Sequence, residues 1–389
     1  MTEENKSIGN FPNLRFPGFE GEWKEKKLGD VCDINPKNES LPNTFIYIDL
    51  ESVVDGSLQK ENTVLKEEAP SRAQRILIKN DILFQMVRPY QKNNLFFDKD
   101  GDFVASTGYA QIRTKENSQF IFQYLHNQNF VDKVIERCTG TSYPAINSSD
   151  LGKIQIAIPK LEEQKKIGDF LNLISQRILS QKKIIEGLIT QKNFIIKKLF
   201  KQNLSDLNTI LLSDFLKIPN KIKPSIIDKE KLLTVKLHLK GVHKNENSDS
   251  LSLGATNYFI RKKGQFIYGK QNLFNGAFAI IPDKYDGFLS SADVPSLHIN
   301  EDIVNAKYLF YFFSRESFYK KLEDIASGSG SKRIHENTLL NLKITIPSLA
   351  IQNKVAGFLS KLDEKINLEN ELLAQYENQK KYLLQNLFV

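Results

Sequence analysis

The chain has 389 residues, of which 40% are hydrophobic, and a formal charge of +8, which suits two or three domains with ordinary cores. No apolar run approaches the roughly 18 residues of a membrane span. The opening MTEENKSIGNFPNLRF is acidic and polar where a secretory leader would be basic and then apolar, so a cytoplasmic protein is expected. The two cysteines, Cys32 and Cys138, lie far apart with no CxxC or Cys/His spacing, which points to inert core thiols and away from a disulfide framework or zinc site.

From the N-terminus, residues 1–158 read as a mixed α+β module. Short β-rich runs such as Thr44 to Ile48 and Ile82 to Val87 alternate with polar and Gly/Pro turns. A polar cluster of Gln85, Arg88, Tyr90, Gln91, Lys92, Asn93 and Asn94 follows the Asp81–Phe84 strand, and a small-residue turn, Gly140-Thr141-Ser142-Tyr143-Pro144, comes later. An Ile-x-Ile-Pro segment, Ile156 to Pro159, should be a strand stopped by its proline, so that helix starts near Leu161. Apolar residues then step by three and four through Leu171, Ile174, Ile178, Ile185, Leu188, Ile195 and Leu199, broken only at Gln181 and Lys192.

The sequence then repeats itself. A second mixed module over 202–346 has β-rich runs at Gln265 to Tyr268 and Ala277 to Ile281, a cluster at Lys270, Gln271 and Asn272, and a turn from Gly328 to Arg333 that includes Ser329 and Lys332. Ile344 to Pro347 repeats the Ile-x-Ile-Pro strand, and helix restarts near Leu349. Residues 120–200 overlay 308–388 at a constant offset of 188, with 13 identities in the 48 positions from 153, where unrelated chains would show roughly three. The second heptad run is Leu359, Leu362, Ile366, Leu373, Tyr376, Leu383 and Leu387, broken at the matching Glu369 and Lys380. Fainter echoes pair Leu28–Val31 with Leu212–Phe215, and Phe103–Ser106 with Phe288–Ser291. Two copies are a duplication, and a duplicated chain suits a partner that is two-fold or bipartite.

Helices of about 40 residues extend roughly 60 Å. They can stand as an exposed stalk or dimerisation coiled coil, or pack on each other antiparallel within the chain. In the antiparallel case polar layers should meet, with Gln181 opposite Lys380 and Lys192 opposite Glu369. Ser175 and Asp363 are good N-cap residues and could divide each helix.

No catalytic motif is legible in the sequence. Gly264 to Lys270 satisfies GxxxxGK, but Gln271 stands where a phosphate loop needs Ser or Thr. The five histidines have no metal-like spacing, no GxSxG is present, and the acid-x-Lys triples at Glu163 and Asp363 fall in the expected helices. The chain reads as non-catalytic. The charge is uneven: residues 1–150 hold 18 basic against 22 acidic side chains, and the excess lies in the first helix and the second module. The strand-end clusters and small-residue turns are either solvated loops or paired readers of nucleic acid. Arg and Lys suit guanine, Asn and Gln suit adenine, and Gly with hydroxyls suits phosphates. The candidate DNA-binding residues are Gln85, Arg88, Tyr90, Lys92, Asn93, Thr141, Ser142 and Tyr143 in the first module. In the second they are Lys270, Gln271, Asn272, Ser329, Lys332 and Arg333.

The pattern resembles the specificity (S) subunits of type I restriction-modification systems. The resemblance rests on Leu14-Arg-Phe-Pro-Gly-Phe-Glu-Gly-Glu-Trp23, on Lys27-Leu-Gly-Asp-Val31, and on the paired Ile158-Pro-Lys-Leu-Glu-Glu-Gln-Lys-Lys-Ile167 and Ile346-Pro-Ser-Leu-Ala-Ile-Gln-Asn-Lys-Val355; the second copy has Ile351 before its Gln352. It implies an α+β fold with target-recognition domains at 1–158 and 202–346, joined by conserved helical regions at 159–201 and 347–389 that form an intramolecular antiparallel coiled coil. It also implies a bipartite double-stranded DNA target, two methyltransferase subunits and added restriction subunits. This chain would bind no cofactor, S-adenosylmethionine, ATP and Mg being held by the partners. The alternative from another class is a coiled-coil adaptor that joins proteins without touching DNA.

Overall fold

The computed structural model describes residues 9–38, 40–200, 207–246, 256–328 and 330–389. The chain forms two compact units, Met1–Lys183 with Asn370–Val389, and Ile184–Glu369. Each unit is thus a mixed module together with half of each long helix.

Both units begin with the same device. A strand, Lys24–Lys27 or Asn208–Leu211, runs into one helical turn, Leu28–Val31 or Leu212–Phe215, and out into a second strand. An acidic side chain at the third helical position ties the turn: Asp30 accepts from the Lys27 amide at 3.3 Å, and Asp214 from the Leu211 amide at 2.8 Å. Leu28 and Leu212 on these turns are fully buried. The first strand pairs antiparallel with the Ile-x-Ile-Pro strand, Lys24 opposite Ile158 in one unit and Asn208 opposite Ile346 in the other.

The central sheet is also repeated. Its order in the first unit is Cys32–Ile34, Tyr109–Thr114, Ile82–Gln85, Leu95–Phe96. In the second it is Leu216–Lys217, Ser296–Ile299, Phe266–Tyr268, Phe278–Ile280. The outer sheets diverge. The first unit has four strands, with Phe103–Ser106 parallel to Thr44–Ile48, and the second has two-stranded pairs among its described residues.

The long helices run unbroken over Leu161–Leu199 and Leu349–Asn386, each beginning two residues after its proline as expected. Gln164 and Gln352 bind each helix start to its module. The Gln164 amide donates to Pro159 O and to the Glu116 carboxylate, and accepts from the Asn117 amide at 3.1 Å. Gln352 donates to Pro347 O and Ile303 O, and accepts from the Asn305 amide at 3.0 Å. Both glutamines are about 1% exposed. The mismatch of Glu163 against Ile351 follows from an element present once: Glu163 holds Arg15 of the N-terminal segment through two 2.8 Å bonds.

Within each unit the helix halves lie antiparallel. In the first, Leu171 shares a core with Leu383, Leu387 and Phe388, and Arg177 meets Tyr376. In the second, Ile196 packs with Leu359. The helix ends close the modules alike. Phe388 lies 5.3 and 5.1 Å from the rings of Phe120 and Tyr124, and Phe200 lies 5.4 and 5.8 Å from those of Tyr308 and Phe312.

Two local expectations are corrected. Lys192 forms its ion pair with Asp363 and not Glu369, a shift of six residues or about 9 Å along the axis. Asp363 is fixed there because it also accepts from the Tyr311 hydroxyl at 2.6 Å. Neither helix is divided at Ser175 or Asp363, because the Ser175 hydroxyl bonds back to Leu171 O inside its own helix.

Candidate nucleic-acid interface

The strand-end cluster and the small-residue turn, which are about 55 residues apart in the first module, form one surface. The Arg88 amide donates to Pro144 O at 2.8 Å, and the Ile146 amide donates to Met86 O at 3.1 Å. The Arg88 guanidinium lies 4.3 Å from the Tyr143 ring centroid. Its Nε is buried with no hydrogen-bond partner among the described residues. Arg88 and Lys92 flank the 3-10 turn Pro89–Gln91 with φ of 54° and 53°. Two non-glycine residues in the left-handed region store strain that the fold around them must hold. Tyr90 and Tyr143 are exposed large side chains, at 48% and 64%, and Thr141 and Ser142 are exposed on the same turn.

The second module joins its two loops by the counterpart of the Ile146 bond. The Ile334 amide donates to Lys270 O at 2.9 Å, and Gln271 lies against Arg333 with its amide oxygen oriented to accept from Nη2 at 2.7 Å. Gly140 and Gly328 begin the two turns with φ of 88° and 118°. A Cβ at Gly328 would meet Ser331 O at 2.6 Å, so only glycine fits.

The electrostatics differ between the modules. The second module's three candidate cations all have acidic partners: Lys270 with Glu336 at 3.0 Å, Arg333 with Asp293 at 2.7 Å, and Lys332 with Glu323 at 2.7 Å. Burial works against the Glu336 carboxylate, but its own backbone amide and Lys270 outweigh it and hold its pKa below the usual range. Behind Asp293, buried Arg261 donates to Ser290 Oγ, Ser291 O and Val294 O and sets the loop. Burial lowers its pKa to about 10, so it remains charged at neutral pH.

Not every candidate faces outward. Gln85 is 5% exposed and donates its amide to Val87 O and Gln91 Oε1, so it shapes the loop from inside. Asn93 clamps a hairpin by donating to Val53 O and accepting from the Gly56 amide. Lys92 donates to His126 O and Gln128 Oε1. Asn272 accepts from Asn275 Nδ2. Ser329 lies outside the described residues. Sequence reasoning missed Glu336 and Asp293, which carry no motif; only their carboxylate chemistry beside an expected basic cluster could have marked them.

Gly264 to Lys270 is a turn leading into the buried Phe266–Tyr268 strand. The Cys32 thiol is pushed up to about 12, chiefly by burial. No His/Cys/Asp/Glu group able to hold a metal occurs among the described residues. No helix among them is long and apolar enough to cross a membrane.

Two alike modules, each with two loops fastened into one polar surface and joined by long helices, define a duplicated scaffold. The sequence profile of the Type I restriction modification DNA specificity domain matches residues 20–189 and again 205–378, and the chain belongs to that family. It is 24% identical to the MjaVIII type I restriction enzyme specificity subunit of Methanocaldococcus jannaschii, over 96% of this chain and 94% of that protein. It is 27% identical to the EcoDI specificity subunit of Escherichia coli, over 42% of this chain and 37% of that one. The fold matches the type I restriction-modification S subunit of M. genitalium, with a TM-score of 0.61, 15% identity and coverage of 97% and 99%.

Proposed function

We propose that this chain reads a bipartite double-stranded DNA target, one half-site with each module, and positions the methyltransferase and restriction subunits of a type I restriction-modification complex. The observation that carries this reading is the same pair of loops fastened into one polar surface in each unit, led by Arg88 with Tyr143 and by Lys270 with Gln271 and Arg333. Arginine and lysine are the usual readers of guanine, and Gln271 suits adenine. The target-recognition domains are 1–158 and 202–346, and the helical regions 159–201 and 347–389 set the gap between half-sites. Leu173, Phe194 and Leu368 expose between 63% and 65% of their surface on these helices, which supports docking of protein partners there. The chain itself is non-catalytic and works in the cytoplasm, with S-adenosylmethionine, ATP and Mg held by its partners. Arg88→Ala and Lys270→Gln, each assembled with the methyltransferase subunits, test it by binding to DNA altered in one half-site at a time. Each substitution should relax discrimination at its own half-site only. Equal loss on all sequences would mark a phosphate contact instead.

A further inference from the structure

The first unit contains a cleft of about 860 Å³ between the reader module and the helix halves Asn172–Lys183 and Glu377–Gln385. Six lysines line it: Lys92, Lys99, Lys182, Lys183, Lys380 and Lys381. The acidic residues along it are Asp55, Asp98 and Glu377, and Lys182 takes two of them, at 2.9 and 3.5 Å. Lys99 pairs with Glu61. Among the described residues Lys183, Lys380 and Lys381 have no hydrogen-bond or ion-pair partner. Four of the six lysines come from the helices, while residues 1–150 of the module carry a net charge of −4. An acidic reader repels DNA at long range unless another part of the same unit offsets it. The cleft also adjoins the reader loop, since Gln91 and Lys92 lie on its wall.

We infer that this lysine cleft is a second DNA contact, in which Lys183, Lys380 and Lys381 hold backbone phosphates flanking the first half-site. The inference rests on the DNA-reading function proposed above. It assigns the helices of this unit an electrostatic role besides spacing. The charge state of the cleft agrees with it: burial, then Lys182, lowers the Lys380 pKa to about 8, and a bound phosphate would remove that penalty.

The test is the Lys183→Gln/Lys380→Gln/Lys381→Gln variant in the full complex with methyltransferase subunits, with affinity for a duplex bearing the target measured across a salt series. Each phosphate contact contributes roughly 0.9 to the slope of log K against log salt. The triple variant should therefore flatten that slope by about 2.7, while the ratio between the target and a duplex mismatched in the first half-site stays the same. An unchanged slope would overturn the cleft contact and leave the reader loops standing. Wild-type complex that shows no preference for any duplex would instead sink the DNA-reading function itself. Failure of the variant to co-elute with the methyltransferase subunit would make the cleft a protein-docking surface and also overturn the inference. Fluorescence of Trp23 checks folding, and the exposed Lys381→Glu alone should still weaken binding in a salt-dependent way if the triple variant misfolds.

Discussion

Replacing Gln164 by leucine should detach the start of the first long helix from its module at almost constant volume. The change strips three groups of their partner: the Pro159 carbonyl, the Glu116 carboxylate and the Asn117 amide. Each buried neutral group left unpaired costs about 1–3 kcal/mol. Glu116 is 24% exposed and can regain water, so the total should be about 2–4 kcal/mol. For a unit of this size, with a urea m-value of roughly 2–3 kcal/mol/M, the midpoint falls by about 1 M. Trp23 makes the assay specific, since it is the only tryptophan, is 2% exposed, and packs on Phe120 and Phe388 in the first unit. Gln352→Leu should shift the Trp23 transition less than Gln164→Leu, because its partners all lie in the second unit. A Gln164→Leu midpoint within 0.2 M of wild type, a margin of about 0.5 kcal/mol, would refute the reasoning.

Other perturbations have equally definite outcomes. Arg113→Ala leaves the fully buried Asp81 carboxylate without the cation that binds both its oxygens, and should cost about 3–5 kcal/mol by urea unfolding. Lys192→Met and Asp363→Asn, combined in a double-mutant cycle, should show coupling of about 1 kcal/mol, whereas Lys192 with Glu369 should show almost none. His126 has its pKa lowered to about 4 by burial first and then by Lys380 and Lys92. The unfolded chain therefore binds the proton more readily, so the His126 contribution is complete above about pH 6.5 and is lost as pH falls toward 4; His126→Gln should flatten stability against pH in that window. Phe388→Ala should cost about 3–4 kcal/mol, read by Trp23, since the ring touches Trp23, Phe120 and Tyr124.

The periodic and repeated parts of the fold were legible from the sequence. Both helix starts, the Ile-x-Ile-Pro strands and the matched Leu28–Val31 and Leu212–Phe215 turns were readable, because proline, heptad spacing and internal identity are local signals. The register was not, because long side chains let Lys192 reach along the axis and Tyr311, on a different element, decides where Asp363 sits. At the site, the loops could be named but not their union, since the bonds from Arg88 to Pro144 and from Ile334 to Lys270 are backbone bonds without a sequence signature. Nor could the inward turn of Gln85 and Asn93 be read, as an amide near a strand end has the same composition whether it faces water or clamps a hairpin.

The most direct test of the central claim is co-expression with methyltransferase subunits followed by mapping of methylated adenines across the host DNA. A single motif of two fixed half-sites, with only one half changed by Arg88→Ala and only the other by Lys270→Gln, is the predicted result. A stable protein complex with no sequence-specific methylation would contradict it and leave the chain a coiled-coil adaptor.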